Sequence, residues 1–535
     1  MEYFDKLGVM IDCSRGGVPT VEMMKKLVDR LSEMGYTFLQ LYTEDLFEVE
    51  GYPYFGYMRG RYTKEEIQDL DTYAKAKGIE LMPCIQTLAH MSQIQRWQPH
   101  FGLFACSDTL FVGEEKTYQF IDAMFQSLSE YYTSRNIHIG MDEAFFLGMG
   151  QYLDKHGLRD KYDILCEHLN RVLEIAKKYG FKPMMWSDTF FGALERKGCS
   201  TQEEVREAVK ALPKDVGVVY WEYYKTKIEE YATKLEKHKW LENEIYFAGG
   251  ALSWNGFVPA NEHTINAMRS SIQACIDTGV RNLMLTMWGD NGKECSYFAL
   301  LPSMFTVSEF AKGNFDMPSI KEKFYQLYQI PFDDFMEVDL PNKVDDKPVI
   351  WNNPHKYMLY SDVFMGIFNQ YVRDGIESWF NNYAIRLDKH TKNSDYGYIF
   401  ANMKALCEAL EVKCSLSIKT RNAYAQCDKE ALTALIENEY PLCIQRIDVF
   451  YDTMRTLWFK ENKGFGWEVH DMRLGGLRRR VESCQRRLQE YVDGKISSIP
   501  ELEEKLLDFL GGVDKFDCDQ TQLISWYSLI TTNNV

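Results

Sequence analysis

The sequence predicts a (β/α)8 barrel over residues 1–315 followed by an all-α helical domain over 316–535. Three observations carry that prediction. Short, continuously apolar runs recur about eight times before residue 315, the count and length of a (β/α)8 barrel. Amphipathic stretches separate them at βα spacing, which implies a parallel sheet. After the segment PNKVDDKPVIWNNPHK (341–356) the strand signals stop and long amphipathic stretches take over.

The elements can be justified in order. GVMIDC (8–13) is the first run, and PTVEMMKKLVDRLSEMG follows it, with Pro19 placed for a first helical turn. TFLQLY (37–42) precedes the helical TKEEIQDLDTYAKAKG, and IELMPCIQ (79–86) is the third run. NIHIGM (136–141) precedes DKYDILCEHLNRVLEIAKKYG, and KPMMWS (182–187) comes next. VGVVYW (216–221), EIYFAG (244–249) and RNLMLTMW (281–288) complete the series. Apolar runs that do not alternate require cover on both faces, which helices around a parallel sheet supply. A doubly wound open sheet is the alternative, but no GxGxxG or P-loop follows any run. Three long amphipathic stretches from residue 397 to residue 494 define the helical half, which is expected to pack on the barrel.

Composition excludes more than it identifies. With 61 basic against 78 acidic residues the chain carries −17, which argues against nucleic acid or an anionic membrane surface as the main partner. No apolar run approaches the ~20 residues of a membrane span, so no membrane insertion is expected. The first residues show no signal-peptide pattern, and the expected location is cytoplasmic. Thirteen cysteines, without CxxC pairs, read as reduced core residues, and no structural metal or cofactor is expected.

In a (β/α)8 barrel the active site lies at the C-terminal ends of the strands. Polar groups there are Asp12 and Arg15 after the first strand, Tyr42 and Glu44 after the second, and Gln86 and His90 after the third. Asp142 and Glu143 follow the fourth, Trp186 and Asp188 the fifth, and Trp221 and Tyr223 the sixth. Trp254 lies beyond the seventh; Trp288, Asp290 and Glu294 follow the eighth. Acids ringed by tryptophans suit a sugar, whose C–H faces pack on indole while its hydroxyls bind carboxylates. Each residue also has a structural reading: Arg15 as an ion pair with Asp12, His90 as a satisfied histidine, a single Trp as rim packing. The adjacent acids Asp142 and Glu143 resist such a reading, because two charges so close cannot both ionise cheaply. Acid strengths driven apart are what a general acid beside an ionised partner needs.

The run HIGMDE, His138 to Glu143, resembles the H-x-G-x-D-E signature of family 20 glycoside hydrolases, the β-N-acetylhexosaminidases. GVMIDCSR and LQLYTED are similar to that family's first two strands, and a helical tail after the barrel is found in some bacterial members. The resemblance implies an exo-acting enzyme that removes terminal β-linked GlcNAc or GalNAc with retention and without a protein nucleophile. Glu143 is then the general acid and base, and Asp142 orients the 2-acetamido group, whose carbonyl attacks the anomeric carbon. By position His90 and Glu44 imply a Glu44–His90–Glu143 relay. Trp186, Trp221 and Trp288 resemble the acetamide pocket, with Tyr223, and behind it Tyr246, as donor to the acetamide carbonyl. The family commonly has an Arg where this chain has Leu7, so Arg15 is the substitute candidate for the sugar hydroxyls. The usual W-x-E reads Trp288-Gly289-Asp290, with Glu294 nearby. These departures leave the choice between gluco and galacto substrates open.

Two other classes compete: a divalent-metal barrel enzyme using Asp188, Glu222, Asp290 and Glu294, and a sugar-binding protein without turnover. The expected partner is a small carbohydrate carrying a 2-acetamido sugar, and homodimerisation is left open. GWEVHDMRLGG (466–476) interrupts the helical pattern and reads as an active-site cap, a subunit contact or a packing corner.

Overall fold

The computed structural model describes residues 2–211, 213–346, 348, 352–509, 511 and 527–532. Eight parallel strands close into a barrel in chain order. They are β1 (Lys6–Asp12), β2 (Phe38–Tyr42), β3 (Glu80–Cys84), β4 (Asn136–His138), β5 (Lys182–Trp186), β6 (Gly217–Trp221), β7 (Ile245–Gly250) and β8 (Asn282–Met287). β1 closes the ring: Asp12 is in register with Tyr42 on one side and Ile11 with Met287 on the other. Nearly every strand residue is buried, as runs without alternation require.

The longer helices that follow the strands are α1 (Val21–Met34), α2 (Lys64–Ala76), α3 (Glu115–Tyr131), α4 (Lys161–Lys178), α5 (Asp188–Arg196), α6 (Ile228–Lys239), α7 (Asn261–Thr278) and α8 (Leu301–Ala311). α1 starts two residues later than Pro19 suggested: Thr20 is the N-cap and its side chain accepts from the Met23 N–H. α2 carries a full capping box between Thr63 and Glu66.

β4 is shorter than the expected run 136–141. The chain leaves the extended region because Gly140 and Met141 take φ of +73° and +72°. A Cβ at Gly140 would stand 2.1 Å from Gln86 Oε1, so this position needs glycine for its backbone and for space. The departure turns the next two residues, Asp142 and Glu143, out of the strand pattern.

Two compact units are present: Met1–Ala251, Ile265–Met287 and Met304–Asp316 form the first, which contains the barrel. Leu252–Thr264, Trp288–Ser303 and Met317–Val535 form the second. Its long helices are α9 (Ile376–Asp388), α10 (Gly397–Ala425), α11 (Tyr440–Glu461) and α12 (Trp467–Val492). The segment 466–476 is the start of α12, with Gly466 as N-cap and 467–476 helical, burying Trp467, His470, Arg473 and Leu474. Residues 347 and 349–351, part of the segment where the sequence pattern changes, lie outside the described residues.

Candidate active site

In the barrel unit one hydrogen-bonded chain joins the C-terminal ends of six strands. Arg15, after β1, donates to Glu44 Oε1 at 2.8 Å, and the Tyr42 hydroxyl donates to the same oxygen at 3.0 Å. Gln86, after β3, donates through Nε2 to the Tyr42 hydroxyl at 3.0 Å and to Asp142 Oδ1 at 2.7 Å. Its Oε1 accepts from the Met141 N–H at 3.3 Å, so both ends of the amide are assigned by their partners. His90 Nε2 lies 3.1 Å from Asp142 Oδ2 and 3.5 Å from Glu143 Oε2. The Glu143 N–H donates to Asp188 Oδ2 at 2.9 Å, and Trp221 Nε1 donates to Asp188 Oδ1 at 3.3 Å.

The backbone that presents these groups is strained. Glu44, His90 and Glu143 have φ of +45°, +56° and +46°, a region that L residues enter at a cost of about 1–2 kcal/mol each. Three such residues in one network mean that tertiary contacts hold the side chains in place against local preference.

One imidazole nitrogen between two carboxylates sets the electrostatics. Burial works against the charged form of His90, but the Asp142 carboxylate outweighs it and holds the imidazole at about 9. Burial would raise Asp142, yet His90 and the Gln86 amide hold its carboxyl below the usual range. Glu143 moves up, first through burial and then through the neighbouring Asp142 charge, with His90 opposing. The adjacent acids are thus driven apart, one towards the anion and one towards the protonated form. Asp188 is also raised, by burial and by Asp142.

A pH prediction follows. A reaction that needs Asp142 ionised and Glu143 protonated runs between the lowered and the raised pKa. Removing the His90 charge takes away what lowers Asp142, so His90→Ala should move the acidic limb of kcat/KM to higher pH. Loss of the His90 cation that faces both acids should lower the rate by about 10-fold or more. An unmoved acidic limb would contradict the pairing.

The structure alters three assignments drawn from sequence. Glu44 does not bond His90: its partners are Arg15 and Tyr42, so the relay Glu44–His90–Glu143 is replaced by His90 facing Asp142 and Glu143 together. Tyr246 lies at the N-terminal end of β7, opposite Asn282, where its hydroxyl donates to Glu244 and accepts from Lys6; it is at the wrong end of the barrel for an acetamide donor. Leu7 is likewise near the start of β1, buried and in register with Leu283. Glu294, in the second unit, is committed to two cations: Lys356 Nζ at 2.6 Å and Arg473 Nη1 at 3.1 Å. Its side chain is 1% exposed, which removes it as a sugar or metal ligand.

Arg15 lies 3.6 Å from Asp12, the ion pair expected from sequence, and closer, at 2.8 Å, to Glu44, with about a quarter of its side chain exposed (24%). Trp186 is buried, its ring 4.4 Å from that of His138, whose own charge burial suppresses to a pKa of about 3. Trp221 is half-buried and stacks on Tyr223 at 5.1 Å. Gln86 stands in the network without a role assigned from sequence, and Asp188, there a candidate metal ligand, accepts from the Glu143 N–H and Trp221. Their position at the ends of β3 and β5 was the available signal.

Trp254, Trp288, Asp290 and Glu294 belong to the second unit, in the connections that follow β7 and β8. Ser253 Oγ donates to the Trp288 carbonyl at 2.6 Å, joining the two connections. Arg473 of α12 donates to the Asn291 carbonyl at 2.6 Å and to Asn291 Oδ1 at 2.8 Å, and His470 Nε2 meets the Gly292 carbonyl at 2.9 Å. Asn291 and Lys293 are left-handed, with φ of +58° and +52°. The unusual stretch 466–476 is therefore a clamp on a strained loop of its own unit. Glu294→Gln breaks a buried ion group on one side only and should destabilise the protein by about 3–5 kcal/mol, read from the denaturant midpoint. A change below 1 kcal/mol would show that the pairs are merely tolerated.

Among the described residues no group of three or more His, Cys, Asp or Glu side chains is gathered to hold a metal, Asp188, Glu222 and Asp290 included. No described helix is long and apolar enough to cross a membrane.

Comparison with known proteins bears on this geometry. The catalytic domain of glycosyl hydrolase family 20 matches residues 4–283, and the glycoside hydrolase 20C C-terminal domain matches residues 332–517. Hexosaminidase D of Bos taurus is 23% identical over 314 residues, covering 55% of this chain and 86% of that protein. Beta-hexosaminidase 3 of Arabidopsis thaliana is 26% identical over 212 residues, 36% of this chain and only 39% of the plant protein. Among solved structures, a β-N-acetylhexosaminidase from Bacteroides fragilis has a TM-score of 0.48 at 17% identity, over 62% of this chain and 72% of that one.

Proposed function

The chain belongs to glycosyl hydrolase family 20 and is a glycoside hydrolase, and from that premise we propose that it is an exo-acting β-N-acetylhexosaminidase releasing terminal β-linked 2-acetamido sugars. The observation that carries the reading is the Asp142–His90–Glu143 arrangement, in which one imidazole nitrogen stands 3.1 Å and 3.5 Å from two carboxylates of opposite tendency.

In the proposed reaction the acetamide carbonyl oxygen attacks the anomeric carbon while the bond to the leaving oxygen breaks. Glu143 gives its proton to that oxygen. Asp142, as the anion, accepts the acetamide N–H and balances the charge of the oxazolinium ring. Water then attacks the anomeric carbon, the ring opens, and Glu143 takes the water's proton, so both inversions cancel to retention. His90 positions the two acids and preserves the anionic state of Asp142. Trp186, Trp221 and Tyr223 are proposed as the acetamide wall, and Arg15 as the contact to sugar hydroxyls. On the sequence resemblance alone for Trp288 and Asp290, and on its place after the seventh strand for Trp254, these three are proposed as further sugar contacts.

The test is nitrophenol release from the aryl β-N-acetylglucosaminide, the β-N-acetylgalactosaminide and the plain β-glucoside. Turnover of either acetamido sugar without the glucoside supports the reading. A glucoside rate of similar size would sink it, and tight sugar binding with no turnover would favour a binding protein.

A further inference from the structure

The backbone that carries Asp142 and Glu143 is held, one N–H at a time, by side chains. The Gly140 N–H donates to His138 Nδ1 at 3.1 Å, and the Met141 N–H to Gln86 Oε1 at 3.3 Å. The Glu143 N–H donates to Asp188 Oδ2 at 2.9 Å, and the Ala144 N–H to Thr189 Oγ1 at 3.2 Å. Gly140, Met141 and Glu143 all have left-handed φ, which takes these groups out of the strand ladder. Side chains therefore supply the acceptors that buried N–H groups require.

Among these four acceptors Asp188 differs in two ways. It is the one carboxyl group, and it has a second oxygen with a different partner. That oxygen, Oδ1, accepts from Trp221 Nε1 at 3.3 Å, and the Trp221 ring is stacked on Tyr223 at 5.1 Å. One side chain at the end of β5 thus spans from the peptide group of Glu143, after β4, to the indole at the end of β6. The Thr189 hydroxyl donates to Asp188 Oδ2 at 3.5 Å, so two consecutive residues at the start of α5 grip two consecutive peptide groups. Asp188 bonds the backbone of Glu143 and not its carboxyl, so its effect falls on where that carboxyl is placed. An amide could not do both jobs: it offers one acceptor oxygen, and its NH2 would face an N–H.

We propose that Asp188 is a positioning residue that ties the acetamide wall to the general acid: an acetamide seated on Trp221 fixes, through Asp188, the backbone from which Glu143 protonates the leaving oxygen. This rests on the β-N-acetylhexosaminidase reading above and adds to it a source of specificity. A sugar without the acetamide leaves the indole unclamped, and with it the group that aims Glu143. A displacement of about 1 Å at a reacting group can cost about 10²-fold in rate, so a link of two hydrogen bonds is enough to matter.

The experiment measures kcat/KM, which reports the first chemical step, on two acetamido substrates. The methyl β-glycoside needs the proton of Glu143 to leave; the dinitrophenyl β-glycoside departs without it. Asp188→Asn should lose about tenfold or more on the methyl glycoside and stay within about threefold on the dinitrophenyl one. Trp221→Phe, which keeps a ring in the wall but removes the indole N–H, should show the same excess loss on the methyl glycoside. The double variant should show that excess once and not twice, because both changes cut one link. Equal losses on both substrates in Asp188→Asn would overturn the proposal in favour of a purely structural role, and no loss on either would overturn it outright. Excess losses that multiply in the double variant would mean that wall and acid are not joined through Asp188, and the proposal fails. Should Asp188→Asn not fold, Trp221→Phe decides alone, and an equal loss on both glycosides contradicts the link. If the wild-type enzyme cleaves neither substrate, the hexosaminidase reading falls first and the link with it, an outcome plainly different from the others.

Discussion

Glu143→Gln should lower kcat on an acetamido disaccharide by about 10³-fold, within the 10²–10⁴ range that a positioned general acid supplies. The amide is nearly isosteric and keeps the backbone N–H that donates to Asp188, so folding should be unaffected. What disappears is a transferable proton, held on Glu143 by burial and by the Asp142 charge. The loss should therefore depend on the leaving group. Dinitrophenolate departs without a proton, so the first step on that substrate should recover most of its rate, leaving hydrolysis of the oxazolinium ring as the slow step. A uniform loss across leaving groups would show that Glu143 has another role.

Asp142→Asn should act differently. Its carboxylate accepts from Gln86 and faces His90, and both hold it in the anionic form. An amide there places an N–H where an acceptor is required, and its neutral charge no longer balances the oxazolinium. A loss of about 10²–10³ in kcat, the size seen when one preorganised electrostatic group is removed, should be nearly the same for every leaving group. Comparing leaving-group dependence in the two variants separates protonation from acetamide orientation more cleanly than either rate alone. If Asp142→Asn were also rescued by dinitrophenolate, the division of labour between the two acids would be wrong.

Much of this was legible in the chain itself because it depends on local pattern. Eight apolar runs without alternation become eight buried parallel strands, and polar residues after them fall at the catalytic ends. Gly140 in HIGMDE was visible as a motif residue, but its reason is spatial: it makes room for Gln86, which bridges Tyr42 and Asp142. What could not be read were partners chosen through space. Glu44 turns to Arg15 rather than His90, and Glu294 is drawn to Lys356, 62 residues on, and Arg473, 179 residues on. Glu44 is itself left-handed and Glu294 follows the left-handed Asn291 and Lys293, turns whose direction a periodic pattern does not encode. The reading of 466–476 as an interruption failed for a related reason. Gly475 and Gly476 disfavour helix by about 1 kcal/mol each, but burial of Trp467, His470, Leu474 and Leu477 on one face of α12 outweighs them.

The central claim is that the substrate's own acetamide is the nucleophile, with Asp142 holding it and Glu143 serving the leaving oxygen. The most direct test is kcat/KM for aryl glycosides whose 2-acetyl group carries none, one, two or three fluorine atoms. Each fluorine weakens the carbonyl oxygen as a nucleophile, so the rate should fall steeply and in order along the series. A rate indifferent to fluorination would mean that the carbonyl does not attack, and the roles assigned to Asp142 and Glu143 would have to be redrawn.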